Sequence, residues 1–302
     1  HDAGAARYDS LLAADAVRLC GPRYALLGEG FAAHRPAALA RRRGACERVL
    51  ILFGGAAVAD LTGRTVDALL DSAAPNSTAR GFIVPHAGLQ YSGPIAATAY
   101  ASIARLDPPP TRVVLLGPSH HVAFTGLALP AADTFETPLG SIALDGEAMN
   151  QLKALPFVRE LPRAHAKEHC LEVQLPFLQR VLPRFTLVPL VVGDATPADV
   201  ATVIDRLWSD TTLLLVSSDL SHFLTFADAK ALDARTAKRI EALDSTLDGD
   251  DACGCRGING LLELARRKHL RINALDLRNS GDTAGDRSRV VGYGTFSIEE
   301  PS

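Results

Sequence analysis

Three apolar runs in this 302-residue chain each run into a histidine. Phe82-Ile83-Val84 is followed by Pro85-His86. Val113-Val114-Leu115-Leu116 is followed by Gly117-Pro118-Ser119-His120-His121, and Leu213-Leu214-Leu215-Val216-Ser217 by Ser218-Asp219-Leu220-Ser221-His222. A thiol, Cys253, arrives from the Gly-rich turn Asp251-Ala252-Cys253-Gly254-Cys255-Arg256-Gly257. Two neutral imidazoles with a thiolate or carboxylate make a good first shell for iron, copper or zinc. A His-His-Cys set is softer than two histidines and a carboxylate, which shifts the expectation towards copper or another redox-active metal. Asp219 and His222 suit a second task, because a carboxylate beside an imidazole raises its basicity and fixes its orientation. Glu168-His169 is a similar pair, although the start of a helix would favour the acid for its charge alone. Taken singly, each residue has an ordinary reading. His121 suits a hydrogen bond to a carbonyl, Asp219 suits a turn cap, and Cys253 suits a small buried hydrophobe. Three independent strand-end histidines together point to one shared site.

The elements that must position these groups alternate between strand and helix. Phe82–Val84 reads as a short buried strand that Pro85 ends, since proline cannot donate to a ladder. A Gly88–Gly93 loop and a helix from Pro94 to about Ile103 follow, with the proline in the first turn. Val113–Leu116 has the continuous apolar character of a central, fully buried strand. Thr137–Ser141 reads as a turn and Ile142–Leu144 as a short strand. Glu168-His169 is expected to open a helix that Pro176 kinks or ends. Further strands are expected at Phe185–Val192, Leu213–Ser217, Arg271–Leu277 and, at an edge, Val290–Ile298. Helices are expected at Pro197–Trp208, Ala227–Leu243 and Ile258–Lys268, with a polar loop over Gly281–Asp286. Such alternation predicts an α/β sandwich with a mostly parallel sheet. In sheets of this kind ligands bind at the mouth beyond the strand ends, which is where these histidines stand.

Composition narrows the function further. With 47% hydrophobic residues and a net charge of −3, the chain can bury a large core and lacks a basic nucleic-acid footprint. No apolar run reaches the roughly 18 residues of a membrane span, and no secretory signal opens the chain, which begins on His1. Five cysteines, Cys20, Cys46, Cys170, Cys253 and Cys255, make an odd set without paired CxxC motifs. They fit a reducing, cytoplasmic compartment better than a disulfide framework.

Residues 1–72 differ from the rest. Helices are expected near Leu12–Val17, Phe31–Arg43 and Thr62–Ser72, and a strand at Val49–Phe53. The strings Leu19–Leu27, Arg35–Arg41 and Leu52-Phe53-Gly54-Gly55 resemble a fragment of the nucleotide-sugar hydrolases of pseudaminic acid synthesis. That likeness is open to three explanations, a fusion, a misassembled gene or an altered start, and it carries nucleotide-sugar binding as a third functional reading. Independently, a strand–Gly54-Gly55–helix turn can cradle a phosphate.

From about Ala73 to the C-terminus the chain resembles the Memo family, whose prokaryotic branch is known as AmmeMemoRadiSam system protein B. The resemblance rests on Pro85-His86-Ala87-Gly88, Tyr91-Ser92-Gly93, Gly117-Pro118-Ser119-His120-His121 and Glu168-His169 with Gln174-Leu175-Pro176-Phe177. It extends through Ser217-Ser218-Asp219, Ser221-His222, Cys253-Gly254, Gly281-Asp282, Gly285-Asp286 and Val291-Gly292-Tyr293. It implies a three-layer αβα sandwich similar to class III extradiol dioxygenases, and a site for iron or copper at His86, His120 and Cys253. By the same motifs Asp219 and His222 would line that pocket; with His121 they are the expected catalytic residues, and Tyr91, Glu168, His169 and Cys255 are the expected pocket residues. The implied activity is redox or dioxygenase-like, on a small molecule or peptide. The alternative is a non-catalytic protein that handles metal or binds a peptide in the same pocket. Radical-SAM and AMMECR-like partners are implied by family association only. The chain departs from the family pattern in Leu89, where a tyrosine is usual, in Cys255, a rival ligand, and in residues 1–72, which replace the family's opening Ala-Gly-Ser segment.

Overall fold

The computed structural model describes residues 48–50 and 59–300. The helices expected at 12–17 and 31–43, the Gly54-Gly55 turn, Cys20 and Cys46 lie outside them. The described strands are β1 (Arg48–Leu50), β2 (Gly81–Val84), β3 (Arg112–Pro118), β4 (Leu127–Leu129), β5 (Thr134–Thr137), β6 (Gly140–Ala143) and β7 (Val158–Glu160). They continue with β8 (Thr186–Val192), β9 (Thr212–Ser217), β10 (His222–Leu224), β11 (Arg271–Asn279) and β12 (Val290–Glu299). The helices are α1 (Ala59–Asp71), α2 (Leu89–Ile103), α3 (Gly146–Lys153), α4 (Pro162–His165), α5 (Leu175–Val181), α6 (Pro197–Leu207), α7 (Phe226–Glu241), α8 (Cys255–Lys268) and α9 (Ser280–Thr283).

The expected α/β sandwich is present. Its main sheet runs β10-β12-β2-β9-β3-β8-β4-β7, with β11 on the other side of β12. The central four strands, β2, β9, β3 and β8, are parallel, and antiparallel pairings flank them at β12 and β4. Every residue of β9, and all but the first of β3 and β8, is buried, as strands covered on both faces must be. Helices α1, α2 and α5 pack together, and α6 packs on α8, which also meets β3 and β9. Arg180 of α5 ties to Asp67 of α1, its Nε donating to Oδ1 at 2.7 Å. β1, β5 and β6 form a separate small sheet.

Several boundaries differ from the sequence expectation. The supposed Gly88–Gly93 loop is already helix. The Gly88 carbonyl accepts from the N–H groups of Tyr91 and Ser92 at 2.7 and 3.2 Å, and the Ser92 hydroxyl donates to the Ala87 carbonyl. Pro94 therefore lies inside α2 and removes one bond from its second turn. Glu168 and His169 do not open a helix. They lie in an irregular stretch before a 3₁₀ turn at Glu172–Gln174, and Pro176 takes an early position of α5, where its missing N–H is harmless. Helix α8 starts at Cys255, three residues before Ile258. The Gly281–Asp286 loop begins as the short α9, capped by Asn279 and Asp282. The strand expected at an edge, β12, is interior: β11 pairs along one side while β2 and β10 share the other.

Candidate metal centre

The order of strands explains why distant residues meet. β2, β9 and β3 are parallel neighbours, so their C-terminal ends open on one edge of the sheet. His86 follows β2, Asp219 follows β9 and His120 follows β3. The turn before α8 joins them there, the Cys253 N–H donating to the Asp219 carbonyl at 3.2 Å and the Gly254 N–H to Ser218 Oγ at 2.9 Å. Residue 254 has to be glycine, since a Cβ would stand 2.6 Å from that of Ser218. One ligand atom from each of His86, His120 and Cys253 lies within 4.8 Å of the others. Cys253 Sγ is 3.4 Å from His86 Nε2, and the two imidazole centroids are 5.3 Å apart, edge to face.

Hydrogen bonds fix which nitrogen each ring presents. Ser217 Oγ donates its single proton to the Cys170 carbonyl at 2.6 Å and accepts from Gln174 Nε2 at 3.0 Å. It can meet His86 Nδ1, 3.0 Å away, only as an acceptor. Nδ1 therefore carries the proton, and the lone pair of Nε2 faces Cys253. Gln174 is itself fixed, donating to the Pro85 carbonyl at 2.9 Å and accepting from the Tyr100 hydroxyl at 2.8 Å. His120 is set by a different device. Its Nδ1–H and its backbone N–H both donate to the Glu168 carboxylate at 2.8 Å, which leaves Nε2 free. An outer partner on one ring nitrogen that aims the other at a metal is the usual arrangement around metal-binding histidines. The stretch carrying Glu168 can close over the end of β3 because residue 117 is glycine; a Cβ there would stand 2.5 Å from Cys170 Sγ.

His120, Glu168 and His169 form a second group with donor atoms close enough to hold an ion. Its carboxylate is already occupied by the His120 ring and backbone and by the His169 N–H at 3.0 Å. It therefore acts as the support of the first group rather than as a rival to it.

Charge follows from these contacts. Burial, followed by the charges of His120 and His169, holds His86 well below the ordinary histidine range, so its imidazole is neutral and fit to ligate. Burial opposes ionisation of Glu168, but hydrogen bonds from the rings and backbones of His120 and His169 outweigh it and keep the carboxyl well below the usual carboxylate range. The contact with Glu168 raises His169 against the effect of burial. Burial and the Asp219 charge push the Cys253 thiol up to about 12.

The remaining expected residues are arranged less simply. Asp219 is buried and pushed up to about 6 by that burial. Its Oδ1 accepts from the N–H groups of His86 and Ala87, and its Oδ2 lies 3.9 Å from His86 Nε2. Among the described residues no hydrogen bond joins it to His222, whose ring contacts Phe223 instead. His121 is exposed, 6.5 Å from the His120 ring. His169 is brought close, its ring stacked 5.2 Å from His120 and edge to face 5.8 Å from His86, with 60% of its side chain open to solvent. Tyr91 is exposed on the first turn of α2. Cys255 is the first residue of α8 and lies outside the convergent group.

Sequence reasoning missed Ser217, Gln174, Tyr100 and Glu172 as parts of this centre. Three of them carried a usable signal: Ser217, Glu172 and Gln174 are polar residues set within apolar runs, and all three are buried.

A family model described as "Memo-like protein" matches residues 59–297. A MEMO1 family protein of Metallosphaera sedula is 34% identical over 70% of this chain and 80% of its own length. Another from Sulfolobus acidocaldarius is 32% identical over 78% of this chain and 87% of its own, and one from Thermotoga neapolitana is 35% identical over 70% and 80%.

Proposed function

The chain belongs to the Memo-like family, and on that footing we propose that it is a metal-dependent redox protein with dioxygenase-like chemistry. His86 Nε2, His120 Nε2 and Cys253 Sγ would hold the ion. The observation that carries this reading is that both imidazoles have Nδ1 tied off while one ligand atom from each ring lies within 4.8 Å of the Cys253 thiol. The donor set of two nitrogens and one sulfur suits iron or copper, which would supply one-electron chemistry and a binding position for dioxygen. The chain's own contributions are clearer. Ser217 and Glu168 aim the rings, and the buried walls around His86 keep water from its ring. His169, raised by its contact with Glu168, stands at the solvent side of the site. Because the Cys253 thiol is otherwise protonated, taking up a cation must expel its proton. No helix among the described residues is long and apolar enough to cross a membrane. The free thiols Cys170, Cys253 and Cys255 support a reducing, cytoplasmic setting.

A second reading, a protein that handles metal or binds a peptide without catalysis, draws support from Asp219. An acid pinned to two backbone N–H groups and not bonded to His222 is better built to brace the β9 turn than to relay protons. Elemental analysis of protein purified without oxygen, beside Cys253→Ser, His86→Ala and His120→Ala, tests the shared premise. One iron or copper per chain, lost in each variant, is the expected result, and full metal content in the single variants would sink it. Metal-dependent oxygen uptake with catechols or other substrates then separates catalysis from storage. The implied substrates and the radical-SAM and AMMECR-like partners stay within this proposal.

A further inference from the structure

The turn that delivers Cys253 carries a second thiol with no part in the convergent group. The three described cysteines are not alike. Cys170 is fully buried with its thiol donating to the Pro118 carbonyl at 3.2 Å. Cys253 and Cys255 are free, half-buried, and share the walls of two cavities. One, of about 230 Å³, lies between Ser119, Phe124, Asp194 and the start of α8. The other, of about 410 Å³, lies between Pro197, Leu247, Asn259 and the same turn. A small oxidant that enters either cavity therefore meets both cysteine residues.

The spacing of the backbone between them is within reach of a bridge. Gly254 has φ −92° and ψ 19°, close to helical. Two residues separated by one such step have Cα atoms about 5.4 Å apart, within the roughly 4.4–6.8 Å that a disulfide spans. The Cys255 N–H bonds the Ala252 carbonyl at 3.1 Å, ahead of the helical ladder, while its carbonyl belongs to the first turn of α8, so closing the bridge must turn the two side chains towards each other and loosen that turn.

Resting on the metal reading above, we propose that Cys253 and Cys255 are a peroxide-oxidisable pair whose disulfide withdraws the thiolate from the centre, so that oxidation releases the ion and reduction restores the site. Cys255, which holds no metal, reacts first: its sulfur attacks hydrogen peroxide, the O–O bond breaks, and a sulfenic acid and water result. The Cys253 sulfur then attacks that sulfenic sulfur, the S–O bond breaks, and the disulfide and a second water form. Two electrons leave the pair and reduce one peroxide. Burial raises both thiols, which makes the first step slow rather than forbidden.

The test uses the full chain loaded with iron or copper, treated with hydrogen peroxide, desalted, alkylated and digested with trypsin. The peptide Ile240–Arg256 contains both cysteines and no others. It is expected to escape alkylation and to be lighter by two hydrogens, while bound metal falls by at least about tenfold; dithiothreitol reverses both changes. Cys255→Ser, with Cys255→Ala as a second variant should the first fold poorly, is expected to start with full metal. Under the same peroxide it forms no disulfide in this peptide and retains its ion. A wild-type peptide with both thiols intact, or a disulfide with metal retained, overturns the proposal. A chain that binds no metal beforehand overturns the centre itself, and the mass of the same peptide still decides whether the pair closes.

Discussion

The two imidazoles at the mouth of the sheet are moored in opposite ways. His86 is buried, and the proton on its Nδ1 ends in a neutral network of Ser217, Gln174 and Tyr100. His120 is exposed, and its Nδ1–H ends on the ionised Glu168. A hydroxyl acceptor fixes a ring without adding charge, whereas a carboxylate also pushes electron density into it and makes the free nitrogen a stronger donor. The supply of N–H donors explains the division. The carboxylate nearest the His86 ring, Asp219, shows the cost of a desolvated charge there, since burial pushes it up to about 6. Glu168 keeps its charge because four N–H groups from His120, His169 and Cys170 converge on it. The neutral mooring supplies position, and the charged one supplies position together with basicity.

If that distinction holds, the charged mooring is the costlier to remove. Glu168→Ala strips the acceptor from those N–H groups and is expected to lose about 3–5 kcal/mol of stability in urea unfolding. Metal affinity, read by competition with a chelator, should fall about 10- to 100-fold. The pH dependence has a definite sign. Because the folded carboxyl titrates below its ordinary 4.5, this source of stability is complete above that value and drains away as the pH falls below it. Glu168→Gln should flatten that acid limb while keeping part of the affinity, since one amide oxygen can still accept from the ring.

Breaking the neutral mooring should cost stability more than affinity. Gln174→Leu leaves the Pro85 carbonyl and the Tyr100 hydroxyl without partners, and about 2–3 kcal/mol of stability should go. Ser217 still accepts from His86 in that variant, so the loss of metal affinity should stay under about tenfold. An affinity loss equal to that of Glu168→Ala would show that the two moorings do the same job and would break the comparison.

Glu172, between the two moorings in sequence, offers a gentler probe. It is buried, its Oε2 has no hydrogen-bond partner among the described residues, and burial pushes it from 4.5 up to about 8. The folded chain thus keeps this proton where the unfolded chain has lost it. Stability from this source is full below 4.5 and declines as the pH rises towards 8. Glu172→Gln should remove that decline, so that variant and wild type diverge with rising pH, the variant being the more stable. Parallel curves from pH 5 to 9 would refute the assignment.

How much of this the sequence discloses depends on the range of the interaction. The strand-end histidines were legible because a buried parallel strand is a local pattern, and whatever follows it must stand at the sheet edge. The supports were not. Glu168 reads as the partner of His169, its neighbour in sequence, yet its shortest contacts are to His120, 48 residues away. Nothing local shows the 168–174 stretch closing over the end of β3. Asp219 and His222 were paired by spacing for the same reason, whereas the fold turns Asp219 towards the backbone of residues 86 and 87. The expected edge position of β12 failed because a strand's second neighbour, here β11, is set by the antiparallel return of the chain. Composition cannot report that.

The smallest change isolates one bond of the neutral mooring. Tyr100 is fully buried and stacked on Phe177, with ring centroids 4.6 Å apart and planes within 3°. Tyr100→Phe keeps the ring, its stacking and its volume, and removes only the hydroxyl that donates to Gln174 Oε1. The amide oxygen is then buried without a donor, at a cost of about 1 kcal/mol in urea unfolding. Gln174 retains both of its own donations, to Pro85 and Ser217, so His86 keeps its tautomer and metal affinity should not move. If affinity falls along with stability, the hydroxyl is steering the His86 ring through two intervening side chains, and the neutral network reaches the ion as effectively as the carboxylate does.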